Sequence, residues 1–364
     1  MTLTDAPAGA GQSRFPHLRP GELEALAAAE AASAAVRGTT SPNPPVGAAI
    51  VDVAGDTVGV GGTRPAGGPP PRGGPSHAEV MALAAAGERA RGGTAVVTLE
   101  PCNHTGRTGP CTHALVAAGI RRVVFARRDP DPVAGGGAEW LRDNGVEVVH
   151  PEGDELPAPT LEPWLTAVAA GRPAVTLKFA QTLDGFTAAA DGTSQWITGP
   201  EARRAVHADR AHRDAIIVGT GTVLADNPRL TARRDDGTEY DHQPRRVVIG
   251  TREVPAGHHL AGVCEHYPDI DTALTGLWES GARDVLVEGG AGLAAGFVAA
   301  GVVDFVQAYL APKLLGAGHP VLGRAVTDTL SGAFEFETTA VRRLGADVFV
   351  EGVARLRRAT GEDL

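Results

Sequence analysis

Three residue types at one spacing carry the first chemical signal in this sequence. His77-Ala78-Glu79 is followed by Pro101-Cys102 and then by Cys111. An imidazole and two thiolates form a donor set that suits zinc, and a catalytic zinc, unlike a structural one, keeps one coordination position open for water. His77, Cys102 and Cys111 supply three ligands, and a zinc among them would bring the pKa of a water toward neutrality. Glu79 is left as the base that takes the water's proton and returns it to a leaving amine. A lone buried His or Cys is more often packing than ligand, but here the His-x-Glu and the paired cysteines coincide. A structural zinc remains the alternative, with His104 or His113 as its fourth ligand.

A His-x-Glu followed by Pro-Cys and a second Cys is the pattern of zinc deaminases, whose short form has two residues between the cysteines. Here eight residues intervene, Asn103 to Pro110. The second half of the chain offers a different chemistry. Gly289-Gly290-Ala291-Gly292 lies after a strand-like run and before a helix-like one, where backbone N–H groups can meet a dinucleotide's phosphates. It is not a full G-x-G-x-x-G, so alone it is a weak signal. Thr220-Gly221-Thr222 reads as a second small-residue turn, with Asp226 and Asn227 on the same loop. Arg210 and Arg233 could hold a substrate phosphate or could be solvated surface arginines. Glu288, at the carboxyl end of a strand, has the position of a substrate ligand in an open α/β sheet. Cys264 stands apart as an ordinary thiol.

The elements that must position these groups can be read from periodicity and punctuation. An Ala-rich helix spans 20–37, opened by proline and closed by Gly38. A loop over 39–45 carries Asn43 between two prolines, and a buried strand follows over 46–53. The Gly/Pro-rich stretch 59–76 reads as an irregular surface loop. His77 opens the next helix. Residues i and i+2 diverge by about 200° on a helix, so His77 and Glu79 can serve one zinc only at its first turn. A strand over 94–99 leads into Pro101-Cys102, Cys111 begins another helix, and strands at 123–125 and 146–149 flank a helix around 139–144. This alternation predicts a three-layer α/β domain with a mostly parallel sheet. A second α/β pattern has strands at 175–180, 215–218, 246–249, 285–288 and 305–310, helices at 199–211, 271–280 and 291–299, and two closing antiparallel strands within 334–354. The domain expectation is a loose tail over 1–18, a zinc domain over 19–152, a connector over 153–172 with a helix around 161–170, and a second domain over 173–364.

Composition narrows the classes. At 364 residues two domains are the natural expectation, and 43% hydrophobic with 21% charged content describes filled cores rather than disorder. No apolar run reaches membrane-spanning length, and the start of the chain lacks the order of a signal peptide. Three cysteines make no disulfide framework and suit a reducing cytoplasm. A formal charge of −10 argues against a nucleic-acid surface, though not against a phosphorylated small molecule.

Taken together, the motifs resemble the bifunctional riboflavin-biosynthesis deaminase–reductases. The resemblance is carried by PNPPVGA (42–48), HAEV (77–80), TLEPCNHTGRTGPC (98–111), LKFAQTLDG (177–185), SQWITG (194–199), GTGTVLADNPRLTAR (219–233), VEGG (287–290) and YLAPKLLG (309–316), and it spans roughly residues 20–355. It implies a cytidine-deaminase-like N-terminal domain and a dihydrofolate-reductase-like C-terminal α/β domain. The implied activities are zinc-dependent deamination of 2,5-diamino-6-ribosylamino-4(3H)-pyrimidinone 5′-phosphate and NADPH-dependent reduction of the ribose of the product, 5-amino-6-(5-phosphoribosylamino)uracil, to ribityl. By the resemblance His77, Cys102 and Cys111 are zinc ligands and Glu79 the proton shuttle, while Asn43, His104 and Arg107 contact the first substrate. Ala180, Trp196, Thr222, Asp226, Thr251, Gly290, Ala291, Gly292, Leu293, Ala294, Ala295 and Gly296 contact the cofactor. Ser194, Arg210, Leu230, Arg233 and Glu288 contact the second substrate. The partners implied are a small pyrimidine ribonucleotide and further copies of the chain in a homodimer or larger homo-oligomer, with no nucleic acid and no membrane. The chain departs from the family pattern in two places: a long connection before His77 with Thr63 where a histidine is common, and only 36 residues between Thr251 and Glu288, which leaves less chain for the cofactor's adenosine end. A deaminase whose second half is non-catalytic is the alternative reading.

Overall fold

The computed structural model describes residues 15–65, 77–104, 109–131, 134–150 and 156–355. Two compact units emerge, one of residues up to Val36 with Val46–Leu161, the other of Arg37–Pro45 with the chain from Glu162 on. The expected connector is therefore divided at Leu161, and a loop expected in the first domain clusters with the second. Hydrogen bonding explains the second point. Arg37 Nε donates to Asp284 Oδ2 at 2.8 Å, Ser41 Oγ to Asp214 Oδ2 at 2.8 Å, and Trp164 Nε1 to the Pro42 carbonyl at 3.0 Å.

The first unit runs α1 (Glu22–Val36), β1 (Gly47–Val51), β2 (Thr57–Gly62), α2 (Ala78–Ala86), β3 (Thr94–Leu99), α3 (Cys111–Ala117), β4 (Arg122–Arg127), α4 (Gly137–Asp143) and β5 (Glu147–Val149). Its sheet order is β2-β1-β3-β4-β5. The β3–β4 and β4–β5 junctions are parallel, but β1 pairs antiparallel with both β2 and β3. The sheet is thus evenly mixed rather than mostly parallel. The reason is a hairpin: Asp52 Oδ1 accepts the N–H of Ala54 at 3.0 Å and of Asp56 at 3.1 Å and turns β1 back into β2.

Strand β2 occupies the start of the stretch expected to be a loop; residues 66–76 of that stretch lie outside the described residues. Its glycines are there because two helices press on it. A Cβ at Gly59 would stand 2.2 Å from Ala82 O, one at Gly61 2.5 Å from Met81 Cβ, and one at Gly62 2.8 Å from Ala32 O. Alternate strand residues face opposite sides, so α2 lies on one face and α1 on the other. Those are the three layers.

The second unit runs α5 (Glu162–Ala170), β6 (Ala174–Thr182), β7 (Phe186–Ala189), α6 (Pro200–Arg210), β8 (Ala215–Gly219), α7 (Thr220–Asp226), β9 (Arg245–Ile249), β10 (Glu265–Tyr267), α8 (Ile270–Glu279), β11 (Asp284–Val287), α9 (Ala291–Ala299), β12 (Phe305–Ala311), β13 (Gly318–Pro320), β14 (Phe336–Leu344) and β15 (Asp347–Ala354). Its main sheet has the order β10-β9-β8-β11-β6-β12-β15-β14, parallel as far as β12 and antiparallel beyond, and β7 and β13 form a separate antiparallel pair. The central strands are unbroken apolar runs because both faces are covered: Ile216, Ile217, Val218, Val285, Leu286 and Val287 are all fully buried. The short interval after Thr251 still holds β10 and α8. The 220–226 segment, read as a turn and loop, is helix α7. No helix of the described residues is long and apolar enough to cross a membrane.

Candidate active sites

In the first unit, His77, Cys102 and Cys111 converge. His77 Nδ1 lies 3.1 Å from Cys111 Sγ and 3.4 Å from Cys102 Sγ, and the three donor atoms all fall within 4.8 Å of one another. Zinc–nitrogen bonds near 2.0 Å and zinc–sulfur bonds near 2.3 Å need donors at about this separation, so the residues fit the metal. His77 is the extended residue capping α2, which puts Glu79 in the first helical turn as the spacing requires. Cys102 follows β3, and Cys111 is the first residue of α3. The two cysteine segments are tied together: Thr112 N donates to the Cys102 carbonyl at 3.3 Å and Thr112 Oγ1 to Asn103 Oδ1 at 2.9 Å. Gly137 lets α4 close against this loop, since a Cβ there would stand 1.8 Å from Pro101 O. Glu100 Oε1 accepts the Ala138 N–H at 2.9 Å on the same side.

Among the described residues no fourth protein ligand joins the set. His113 stacks on Trp140 with ring centroids 4.4 Å apart, away from the structural-zinc role. His104 Nδ1 is buried without a hydrogen-bond partner among the described residues, as a substrate contact would be before its substrate arrives. The hydrogen bond from the Cys111 thiol, acting against burial and helped by His77, lowers the Cys102 pKa to about 4. The same hydrogen bond, with burial, raises Cys111, so the pair gives up its first proton readily and its second reluctantly, and a bound zinc would require both to leave. Burial first, and then the negative Cys102, raise the Glu79 carboxyl above its usual range. Thr63, where a histidine is common, is engaged with the Val46 backbone at 3.2 and 3.3 Å. Asn43 sits in the 40–45 turn that clusters with the second unit, and Arg107 lies outside the described residues.

In the second unit a cavity of about 1770 Å³ opens over the carboxyl ends of the parallel strands. Ala180, Trp196, Thr222, Asp226, Gly290, Ala291, Gly292, Leu293, Ala294 and Gly296 line it, together with Ser194, Arg210, Leu230, Arg233 and Glu288. Thr251 and Ala295 do not. Thr251 is exposed just beyond β9. Ala295 is fully buried, because a helix turning about 100° per residue cannot present seven successive side chains to one cavity. Thr222 Oγ1 accepts the Gly290 N–H at 2.9 Å and so joins the tips of α7 and α9. A Cβ at Gly290 would stand 3.1 Å from that same oxygen, which leaves the approach to α9 bare backbone. The cradle fits a dinucleotide's phosphates.

Beside it, Glu288 is gripped by Arg210, with Nε to Oε1 at 2.7 Å and Nη2 to Oε2 at 2.8 Å, while Lys178 Nζ stands 3.4 Å from Oε2. Burial alone would raise the Glu288 carboxyl, but the two cations outweigh it and hold it well below the usual carboxylate range. The remaining Arg210 contact, Nη1 to Thr231 O at 3.0 Å, commits that guanidinium to protein acceptors. Arg233, the other arginine expected at the phosphate, lines the same cavity. Leu230 is buried at φ 53°, in the left-handed region, next to Thr231, whose carbonyl both Arg210 and His207 contact. Lys178 and His207 were not singled out in the sequence. A lysine inside the apolar run of LKFAQ was the available signal for Lys178.

Residues 22–127 match the cytidine and deoxycytidylate deaminase zinc-binding region, and residues 173–350 match the RibD C-terminal domain. The riboflavin biosynthesis protein RibD of Corynebacterium ammoniagenes is 57% identical over 334 residues, covering 90% of this chain and 96% of that protein. The chain belongs to the RibD family. The RibD of Escherichia coli is 38% identical, covering 86% of this chain and 94% of that one. The solved diaminohydroxyphosphoribosylaminopyrimidine deaminase/5-amino-6-(5-phosphoribosylamino)uracil reductase of Thermotoga maritima superposes with a TM-score of 0.78 at 33% identity, covering 92% of this chain and 99% of that one. As a RibD protein the chain is a bifunctional enzyme of riboflavin biosynthesis, with a zinc-binding deaminase domain followed by a reductase domain of the NADPH-using type.

Proposed function

We propose that the first unit deaminates 2,5-diamino-6-ribosylamino-4(3H)-pyrimidinone 5′-phosphate, and that the second reduces the ribose of the resulting 5-amino-6-(5-phosphoribosylamino)uracil to ribityl. The convergence of His77, Cys102 and Cys111 beside a buried Glu79 carries the first assignment. Zinc, when bound there, supplies Lewis-acid activation of water at neutral pH. Glu79 takes a proton from the attacking water and delivers it to the departing amino group; burial keeps its carboxyl basic enough for both steps. His104, Asn43 and Arg107 are the residues that the family resemblance assigns to the pyrimidine nucleotide.

NADPH, when bound in the second unit, would supply the hydride. The Gly290–Gly296 segment with Thr222 and Asp226 holds the cofactor, and Trp196, with the Arg203 guanidinium 4.6 Å over its ring, walls the cavity. The Lys178–Glu288–Arg210 cluster orients the ribose, and Arg233 with Ser194 and Leu230 receives the phosphate end. A cytoplasmic homodimer or larger homo-oligomer completes the reading, and the free cysteines suit a reducing compartment. A coupled assay tests it: the diaminopyrimidine phosphate is supplied with zinc and NADPH, and ammonia and cofactor absorbance are followed separately. Ammonia should appear without NADPH, and NADPH should be consumed only after deamination. Ammonia release with no NADPH consumption would leave the deaminase alone standing.

A further inference from the structure

We infer that Arg252 selects NADPH over NADH by receiving the cofactor's 2′-phosphate. This rests on the reductase reading above and names the group in that site that reads the adenosine sugar. The cavity crosses the strand ends in the order β9, β8, β11, β6. Its β6 end holds Lys178 and, beside it, Glu288 and Arg210, the cluster assigned to the ribose, so the nicotinamide belongs there. Between β11 and β8 stand the joined tips of α9 and α7. Helix geometry leaves the N–H groups of Ala291 and Gly292 without intrahelical acceptors, and these suit the pyrophosphate. An extended dinucleotide must then continue toward β9, three strand spacings or roughly 14 Å from β6.

At that end the chain leaves β9 through Gly250-Thr251-Arg252. Gly250 has a φ of 137°, and a Cβ there would stand 2.6 Å from Thr220 Oγ1, so only glycine lets the backbone pass the start of α7. The turn carries Arg252 back over Gly221, with Nη2 3.3 Å from the position a Cβ would take. Arg252 is exposed, lines the cavity, and makes no hydrogen bond or ion pair among the described residues. Arg210 and Arg245 are closed by Glu288 and Glu265, whereas Arg229, Arg233 and Arg324 also line the cavity without an ion pair among the described residues. It is the position over Gly221 beside β9 that singles Arg252 out. A carboxylate at this end would favour a free 2′-hydroxyl. Of the two that line it, Asp269 is engaged in capping α8 through the Thr272 N–H at 2.8 Å. Asp271 is exposed in the first turn of α8, so the comparison of NADPH with NADH decides which charge reads the sugar. An uncommitted guanidinium fork gains two charge-assisted hydrogen bonds from a phosphate and little from a hydroxyl. Thr251, the residue expected at the cofactor, points to the right turn, and its neighbour is the one that faces the cavity.

Binding of NADPH, NADH, 2′,5′-ADP and 5′-AMP to the zinc-loaded full chain, measured by calorimetry with and without Arg252→Gln, tests the assignment. The substitution should weaken NADPH and 2′,5′-ADP about 10- to 100-fold while moving NADH and 5′-AMP less than about twofold. Arg252→Lys should fall between, keeping charge without the fork. Unchanged NADPH affinity overturns the inference. Equal weakening of NADPH and NADH also overturns it and assigns Arg252 to the pyrophosphate. If the unsubstituted protein binds neither nicotinamide nucleotide, the reductase reading itself fails and the inference falls with it, a result distinct from the other two.

Discussion

Glu79 and Glu288 are both buried carboxylates, yet their neighbours drive them in opposite directions. Burial and the Cys102 thiolate raise Glu79, which makes it a proton carrier; the cations of Arg210 and Lys178 overcome burial at Glu288 and make it a permanent anion. Glu79→Gln should therefore keep the zinc, measured by metal analysis, and lower ammonia release by at least about 10²- to 10⁴-fold. Loss of metal along with activity would instead make Glu79 a structural support of the ligands. Glu288→Gln strands two partly buried cations and should destabilise the second unit by about 2–4 kcal/mol while abolishing NADPH consumption. Because the folded carboxyl lies below its unfolded value, this stabilisation is complete above the ordinary carboxylate range and is lost as pH falls below that range and through the lower folded value. Thermal unfolding of the variant at neutral pH reads the loss directly. The zinc donors were legible in the sequence because metal chemistry restricts residue type and spacing together. Lys178 was not, since a lysine in a strand has no visible partner until folding brings Glu288, 110 positions away, to 3.4 Å.

Elements with a clean period were legible to within a few residues: β3 and α9 fall where alternation and Gly punctuation put them. The missed ones lack a period. Strands β7, β10 and β13 are too short to show one, and α7 is written in small residues and threonine, helical because Val223 is buried beneath it. Strand β2 was hidden by glycines that normally mark a loop, and their purpose is close approach to helices rather than turning. Gly61→Ala follows from this. Its Cβ would stand 2.5 Å from Met81 Cβ and 2.7 Å from Ala78 O, so α2, which carries Glu79 and follows His77, has to move. The expected cost is about 1–3 kcal/mol, accompanied by weaker zinc retention in a competition with a chelator. Gly257→Ala is the control, because nothing lies within 4 Å of its Cβ position, and it should shift stability by less than about 0.5 kcal/mol. Equal zinc affinity in the two variants would separate β2 packing from the metal site.

At the scale of the whole molecule, the two units store stability in different chemistry, so two perturbations should resolve them. The first unit joins three distant segments through His77, Cys102 and Cys111, and a metal that binds only the folded form stabilises it by mass action. The second unit has no such cluster among the described residues. It holds His207 and His212 neutral instead: burial first, then Arg210 and Arg233 beside His207 and Arg37 beside His212, push both below the usual imidazole range. A histidine whose folded pKa is depressed contributes stability that is complete above its unfolded pKa, about 6.5, and is lost as pH falls through the folded value. Calorimetric scans should accordingly show a transition that drops on adding chelator at pH 7. With the metal already removed, a second transition should drop as pH is lowered from about 7 to 5. The double substitution His207→Gln, His212→Gln should flatten that pH slope and leave the chelator effect intact. A slope unchanged in the double variant would mean that the acid sensitivity of the second unit comes from other groups.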